Sequence, residues 1–286
     1  MGSIRKIKAV WKYQTTLQIF DTKVLMVFVL LFLYVRNYTE PIVEFSKTVH
    51  EGISPYLFSL FMNDMVFPII VALGYLLLIC NAPFLNKGYL FLVARTGKLY
   101  WVIGEACFLF TYAVFYVLML IGLTILNILP YISWEMEWGR IIMSLVRTDA
   151  SVQFQTLEIS PYVVENYSAI EALQKTALLS VLFFWGIGML VFAFNYAFQN
   201  FFGVVVAVGL IFFDLGIYNL FSSSMWYKFS PMSLIKLSIV SGVNVWNPTY
   251  EYAVIALSTI GVIFFCIIFV VAKYRKTIGV NDRRGN

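Results

Sequence analysis

Side chains that could do chemistry are few in this sequence, and their spacing argues against the common catalytic and metal sites. His50 is the only histidine, so a site with several histidine ligands cannot form, and a Ser-His-Asp triad would depend on this one residue. Cys80, Cys107 and Cys266 show no paired spacing, which predicts neither a disulfide framework nor a metal site. No HExxH, CxxC or GxSxG sequence is present. We expect no catalytic residue, no metal ligand and no cofactor-binding residue in this chain.

The string ARTGK, which ends at Lys98, is similar to the end of a phosphate-binding loop but lacks the rest of it. The motif GxxxxGK[ST] needs a glycine at position 92 and a serine or threonine at position 99, where the sequence has Leu92 and Leu99. We therefore do not expect this chain to hydrolyse ATP by itself.

Several polar side chains fall inside long apolar segments: Asn63, Asp64, Glu105, Asn195 and Asp214. Ionisable groups at membrane depth are costly unless they are paired or face a polar interior, so they mark a transport pathway or a contact between helices. For Glu105, which is close to the edge of its segment, we expect a structural role. For Asp64 and Asp214 both roles stay open. Since no Lys or Arg lies deep in a span to pair with either aspartate, we expect them to be protonated or to face water.

Six long apolar segments contain these residues, near 20–37, 57–81, 100–129, 176–199, 201–223 and 250–272. Each is close to the roughly 20 helical residues that cross a bilayer core, where the backbone must satisfy its own hydrogen bonds. The chain is 61% hydrophobic and 12% charged, with a mean hydropathy of +0.83. We predict an all-α membrane protein with six transmembrane helices that form a single domain over residues 1–286.

The charged residues predict the orientation. Basic residues gather before the first span, between spans two and three, and after the last span: Arg5, Lys6, Lys8, Lys12, Lys23, Lys87, Arg95, Lys98, Lys273, Arg275, Lys276, Arg283 and Arg284. Most acidic residues lie in the other joints. The positive-inside rule then places both termini in the cytoplasm, as an even number of spans requires. The net charge of +5 is thus explained by the membrane edges, and we expect the lipid bilayer, not nucleic acid, as the partner of these charges.

The first residues predict an amphipathic helix lying in the cytoplasmic interface. Apolar and basic side chains alternate there at helical spacing: Ile4, Ile7, Trp11, Leu17 and Phe20 against Arg5, Lys8 and Lys12. A basic leader without fixed structure is the alternative. No small-x-small sequence follows the first apolar run, so we expect no cleaved signal peptide.

The cytoplasmic joint between spans two and three predicts a docking element for a soluble partner. Turn residues give way to a short helical stretch with an apolar face and a basic end, a combination that supplies buried anchors and steering charges. The residues that we select in this joint are Phe84, Lys87, Tyr89, Leu92, Arg95 and Lys98. The alternative is an ordinary interfacial helix that rests on lipid headgroups.

The order of these elements resembles an ABC-2 type permease, the membrane subunit of an ATP-binding cassette exporter. The segment LFLVARTGKLYWVIGE is similar to the coupling helix of permeases from low-GC Gram-positive bacteria. The segment ISWEMEWGRIIMSLVRT is similar to a Trp-Gly element of such permeases, and FSPMSLIKLSIVSGVN with NPTYEYAVIAL resembles their outer hairpin of short helices. The resemblance covers nearly the whole chain and rests on the joint order of these elements.

The resemblance implies a multi-pass permease of the bacterial plasma membrane that acts with a second permease, identical or different. It also implies two ATPase subunits on other chains, which bind ATP-Mg, and it makes the joint from Phe84 to Lys98 the element that transmits their motion. The cargo would be an amphipathic peptide, a drug-like compound or a lipid. The outer joint 130–175 is long for the simplest members of the family, and we expect its Trp-rich part to lie on the outer leaflet rather than to form a lid or a partner surface.

Two other classes of function stay open. A proton-coupled secondary transporter would use Asp64 and Asp214, but the sequence shows neither a clear repeat nor a pair of spans interrupted by glycine or proline. A membrane scaffold without transport would use the same cytoplasmic joint to hold a soluble partner. A membrane enzyme is the least expected class.

Overall fold

Long apolar helices dominate the computed structural model, which describes residues 2–19, 21–84, 88–157, 159–198, 200–220, 224–240 and 246–274. Within these residues the regular structure is helical, apart from one isolated parallel bridge between Ile53 and Ile132. Five of the helices are long and apolar enough to cross a membrane. The prediction of an all-α, multi-pass membrane protein is confirmed at this level.

The helices follow one another with short connections. In chain order they are α1 Ser3–Ile19, α2 Thr22–Val49, α3 Leu57–Phe61, α4 Phe67–Ile79, α5 Tyr89–Thr96, α6 Lys98–Ile128, α7 Gly139–Arg147, α8 Ala150–Gln153, α9 Pro161–Asn166, α10 Ala169–Phe198, α11 Phe202–Leu220, α12 Leu237–Val240 and α13 Tyr250–Tyr274. Short 3-10 turns occupy Leu129–Tyr131, Ser224–Phe229 and Ser233–Ile235. The five helices that are long and apolar enough to cross a membrane are α2, α6, α10, α11 and α13.

Helix α10 lies at the centre of the bundle and packs against α6, α11 and α13. The ring of Phe184 contacts those of Tyr75 and Tyr116, with centroids 4.9 and 5.1 Å away. Where α11 begins, a Cβ atom on Gly203 would lie only 2.6 Å from the carbonyl oxygen of Val191. Glycine is needed at this position because small residues let membrane helices approach closely.

The predicted second span, 57–81, is not one continuous helix. It is divided into α3 and α4, with a turn around Asn63 and Asp64 between them. Helix α4 has 13 residues, or ~20 Å at 1.5 Å per residue, which is short of a ~30 Å hydrocarbon core. Pro68 sits in the first turn of α4, where its missing N–H costs nothing. The prediction of one continuous helix over 57–81 is therefore wrong for this segment.

The bundle has two distinct ends. The α5 end holds α1, α5, the start of α6 and the end of α10, joined through the rings of Tyr89, Trp101 and Tyr196. The α7 end holds α7, α9 and the end of α2, where Arg140 forms an ion pair of 2.6 Å with Glu51.

The predicted N-terminal helix is present as α1, and it packs along the first turns of α6. Val10 and Gln14 are buried in this contact, and Trp11 donates a hydrogen bond of 3.0 Å from its indole nitrogen to Thr111. Ile4 and Leu17, members of the predicted apolar stripe, are 80% and 41% exposed. The face that packs on the protein is thus offset from the predicted stripe. Phe20 lies outside the described residues.

The Trp-rich outer segment is divided between an exposed part and a buried part: Trp134 is 74% exposed, whereas α7 is packed on the protein. The apolar face of this helix packs within the protein, against α2 and α9, with Ile141, Ile142 and Leu145 buried. Trp138 is also buried and donates from its indole nitrogen to the carbonyl oxygen of Tyr167 at 2.9 Å. The segment covers the α7 end because its apolar residues find partners in the chain itself.

Candidate functional site

Helix α5 is the most prominent candidate for a docking surface at the α5 end. Its inward face holds Val93 and Thr96, which are buried, and Tyr89, whose ring lies edge-on to Trp101 with centroids 4.9 Å apart. Its outward face exposes Leu90 by 43% and Phe91 by 74%. An exposed aromatic ring on a fixed helix is the kind of anchor that protein interfaces use.

The inward face ties α5 firmly to the spans. The ring of Trp101 is fully buried and lies 5.8 Å from the rings of both Phe192 and Tyr196 on α10, measured between centroids. Gly97 has a φ of 91°, which lets the chain turn from α5 into α6 within one residue. Helix α5 is therefore joined to α6 within one residue, and Trp101 of α6 links this joint to α10.

The other residues selected in this joint have different positions. Phe84 is buried, with its ring edge-on to Phe108 at 5.6 Å, and Leu92 is half-buried against the core. Arg95 is exposed on the outward face of α5, and Lys98 begins α6. Lys87 lies outside the described residues.

Phe91 is the residue of this surface that sequence reasoning missed. It precedes Arg95 by four residues, which places both on one face of a helix. The spacing of four residues between Phe91 and Arg95 was the signal in the sequence that could have identified Phe91. Because Phe91 lies in an apolar stretch, its residue type alone does not indicate that it is exposed.

Asn195 connects three chain segments near the α5 end. Its amide nitrogen donates to the carbonyl oxygens of Cys80 at 3.2 Å and Ala82 at 2.7 Å, and its amide oxygen accepts from the backbone N–H of Gly203 at 2.9 Å. The side chain thereby joins the end of α4 to the start of α11. Its hydrogen bonds give Asn195 a structural role.

Glu105 is buried between α6 and α1. Its carboxylate accepts a hydrogen bond from the amide nitrogen of Gln14, which is also buried. This contact holds α1 against α6 and agrees with the structural role expected for Glu105.

Asn63 and Asp64 stabilise the break between α3 and α4. Asp64 accepts hydrogen bonds from the backbone N–H groups of Val66 at 3.1 Å and Phe67 at 2.9 Å, and from the hydroxyl of Tyr38 at 2.9 Å. It therefore satisfies donors that the start of α4 leaves free. Asn63 accepts from the backbone N–H of Ser238 at 2.8 Å.

Asp214 has a basic partner, contrary to the prediction. The ammonium group of Lys236 lies 2.7 Å from its carboxylate, and both side chains are buried. Ser230 and Ser233 donate to the other carboxylate oxygen. Lys236 was overlooked because it is not in a span: the segment 224–240 folds back between the helices and brings it to α11.

The structure thus separates the five polar positions into two groups. Asn63, its neighbour Asp64 and Asp214 form one group, in which Asn63 and Asp214 contact the segment 224–240, whereas Glu105 and Asn195 lie toward the α5 end. In the described part of the chain, no group of His, Cys, Asp and Glu side chains has the geometry to hold a metal ion. Comparison with protein-family models, with curated proteins and with solved structures gave no match.

Proposed function

We propose that this chain is the permease subunit of an ATP-driven exporter in a bacterial plasma membrane. The observation that carries the proposal is α5, a helix packed on α6 by its inward face, next to the contact of α6 with α10, and presenting Phe91 and Arg95 outward. ATPase subunits on other chains would bind ATP-Mg and dock on this surface. Their closure would move α5 as a rigid body together with α6 and α10.

In this proposal the chain crosses the bilayer six times, with both termini and the α5 end in the cytoplasm. Helices α3 and α4 together make the crossing that α4 is too short to make alone. The two ends of α4 lie beside different levels of α2, which supports this arrangement. Cys80 lies 3.9 Å from the Lys23 ammonium at the start of α2, and Phe67 contacts Tyr38 much further along α2. The basic residues of the α5 end agree with a cytoplasmic location.

The cargo that we propose is amphipathic: a peptide, a drug-like compound or a lipid. A second permease, identical or different, would complete the pathway.

The test is to purify the tagged chain in mild detergent from its native cell and to identify the co-purified proteins by mass spectrometry. We expect a stoichiometric chain that contains GxxxxGK[ST]. Phe91→Ala and Arg95→Glu should each reduce its recovery at least about tenfold, because buried aromatic anchors and steering charges dominate such interfaces. Met136→Ala is the matched control, since Met136 is 76% exposed at the α7 end.

Recovery of no ATPase under several gentle conditions would overturn the proposal. If an ATPase binds equally to the wild type and to both α5 variants, the chain is still an exporter subunit, but α5 is not the docking site of the ATPase. A partner that binds without ATP turnover dependent on cargo would instead indicate a membrane scaffold.

Proton-coupled transport through Asp64 and Asp214 is the alternative, and the interrupted α3–α4 segment is the observation in its favour. Its prediction is that Asp64→Asn or Asp214→Asn abolishes transport while any partner ATPase keeps its activity. The hydrogen bonds of both aspartates to backbone, serine and lysine groups support the structural role instead.

A further inference from the structure

A groove of about 330 Å³ opens at the α7 end between α2 and the end of α6. One face of α2, from Phe32 to Lys47, forms the first wall and carries the charged residues of the groove. The end of α6 and the turn after it form the second wall, with Leu126, Asn127, Pro130 and Tyr131. Its volume is at the lower end of the range for small-molecule sites, which suits a headgroup-sized ligand.

The charges in this groove lack protein partners of opposite sign. Within the described residues, the ion pairs are those of Arg140, Lys175 and Lys236 with Glu51, Glu171 and Asp214.

The groove's own charged residues, Arg36, Glu40, Glu44 and Lys47, are exposed and form none of these pairs. The charged groups therefore remain available to a ligand that carries both signs.

The groove begins where the lipid-facing surface of α2 ends. Leu25, Val29 and Leu33 are 64%, 48% and 56% exposed and form an apolar strip along the first half of the helix. Arg36 lies ~21 Å along α2 from Thr22, about one turn beyond Leu33. Tyr131 on the opposite wall is a residue type enriched at membrane interfaces. The groove thus adjoins the end of the apolar strip on α2.

The first three charges along α2, those of Arg36, Glu40 and Glu44, match the order of charges in a zwitterionic phospholipid. Lys47, which follows them, lies over the ring of Tyr131. In such a lipid the phosphate is next to the glycerol and acyl chains, and the amine lies further out. In the groove the guanidinium of Arg36 is nearest the apolar strip, and Glu40 and Glu44 lie ~6 and ~12 Å further along the helix. Arginine is well suited to bind phosphate, and carboxylates accept hydrogen bonds from ammonium groups.

We propose that this groove is a binding site for one phospholipid whose headgroup carries a phosphate and a primary ammonium group. Arg36 binds the phosphate, Glu40 and Glu44 bind the ammonium group, and Phe32 and Leu126 contact the start of the acyl chains. The site depends on α2 and α6 spanning the membrane, and it is independent of the proposed ATPase partner.

The groove favours a primary over a quaternary ammonium group. A quaternary ammonium cannot donate hydrogen bonds to Glu40 or Glu44, and it is bound best by aromatic faces. The aromatic ring at the level of these charges, Tyr131, already has the Lys47 ammonium 5.2 Å from its centroid. We therefore expect phosphatidylethanolamine to bind more tightly than phosphatidylcholine.

The test is native mass spectrometry of the delipidated, full-length protein, titrated with phosphatidylethanolamine, phosphatidylcholine or phosphatidylglycerol of matched acyl chains. We expect one phosphatidylethanolamine to bind about tenfold more tightly than phosphatidylcholine, since hydrogen bonds to charged groups are worth about this factor or more. Arg36→Gln should weaken binding of phosphatidylethanolamine and phosphatidylglycerol about tenfold. The pair Glu40→Gln and Glu44→Gln should abolish the preference for ethanolamine over choline.

Arg140→Gln is the control, because Arg140 is an exposed arginine at the same end of the bundle but outside the groove. Because the substituted residues are exposed, we expect each variant to unfold at the same temperature as the wild type when no lipid is present, and this is measured as a further control.

Several results would overturn the proposal. These are equal binding of the three lipids, an Arg36→Gln variant that behaves like Arg140→Gln, or soluble phosphoethanolamine binding as tightly as the lipid. Preferential binding of an amphipathic peptide with mixed charges, with no phospholipid competing, would assign the groove to a peptide instead.

Discussion

At the level of single residues, the buried ion pair between Asp214 and Lys236 carries a large desolvation cost. Taking each ion out of water is unfavourable, and the cost is offset only by close pairing and further hydrogen bonds. The distance of 2.7 Å between ammonium and carboxylate and the hydroxyl groups of Ser230 and Ser233 provide both. We interpret the pair as a clamp that fixes the segment 224–240 to α11.

Removing one charge of this pair should destabilise the protein strongly. Lys236→Met leaves the Asp214 carboxylate buried without its cation, and we expect a loss of about 3–5 kcal/mol in the free energy of unfolding. Thermal or denaturant unfolding in mild detergent measures this loss. Lys228→Met is the control, since Lys228 lies in the same segment but only half-buried and outside this pair.

A double variant, Lys236→Met with Asp214→Asn, should recover part of this stability because no buried charge is left unpaired. If the double variant is as unstable as Lys236→Met, packing of the lysine side chain and not its charge holds the segment.

At the level of secondary-structure elements, the interrupted helix α3–α4 is the main departure from a simple bundle. Breaking a helix at membrane depth frees backbone donors and acceptors that lipid cannot satisfy. The carboxylate of Asp64 accepts from two of these donors, and Tyr38 fixes the carboxylate. The break is therefore stabilised by hydrogen bonds within the chain itself.

The capping role of Asp64 predicts a graded response to substitution. Asp64→Ala should lower the free energy of unfolding by about 1 kcal/mol, the typical cost of a lost helix cap. Asp64→Asn keeps a carbonyl oxygen at the same place and should stay close to the wild type. Thermal unfolding of the two variants side by side checks the difference.

Transport assays of the same variants separate structure from proton coupling. Normal stability with abolished transport in Asp64→Asn would show that titration of the carboxylate matters, in favour of the proton-coupled alternative.

At the level of the whole molecule, the two ends of the bundle differ in charge and in what they expose. The α5 end carries basic residues and the outward face of α5, whereas the α7 end is covered by α7, α9 and acidic joints. In our proposal the first end faces the cytoplasm and the second faces the outside.

Cysteine labelling tests this orientation. In a background where Cys80, Cys107 and Cys266 are replaced by alanine, we expect Met136→Cys to react with a membrane-impermeant thiol reagent in intact cells. Phe91→Cys should react only after permeabilisation. The comparison is matched because Phe91 and Met136 are 74% and 76% exposed. The reverse pattern would invert the topology, and labelling of both from outside would contradict the single crossing by α6 that the proposal places between the two residues.

The sequence by itself determined the helical, membrane-embedded character of this protein, because the bilayer core demands long apolar segments that satisfy their own backbone. It also indicated the joint around α5, whose apolar and basic residues are local in the chain. Only the tertiary structure decided the partners of the buried polar residues. Asp214 and Lys236 are 22 residues apart, Glu105 and Gln14 are 91 apart, and Asn63 meets Ser238 at a separation of 175. Such contacts depend on how the chain folds back on itself, and no local pattern of residues encodes them.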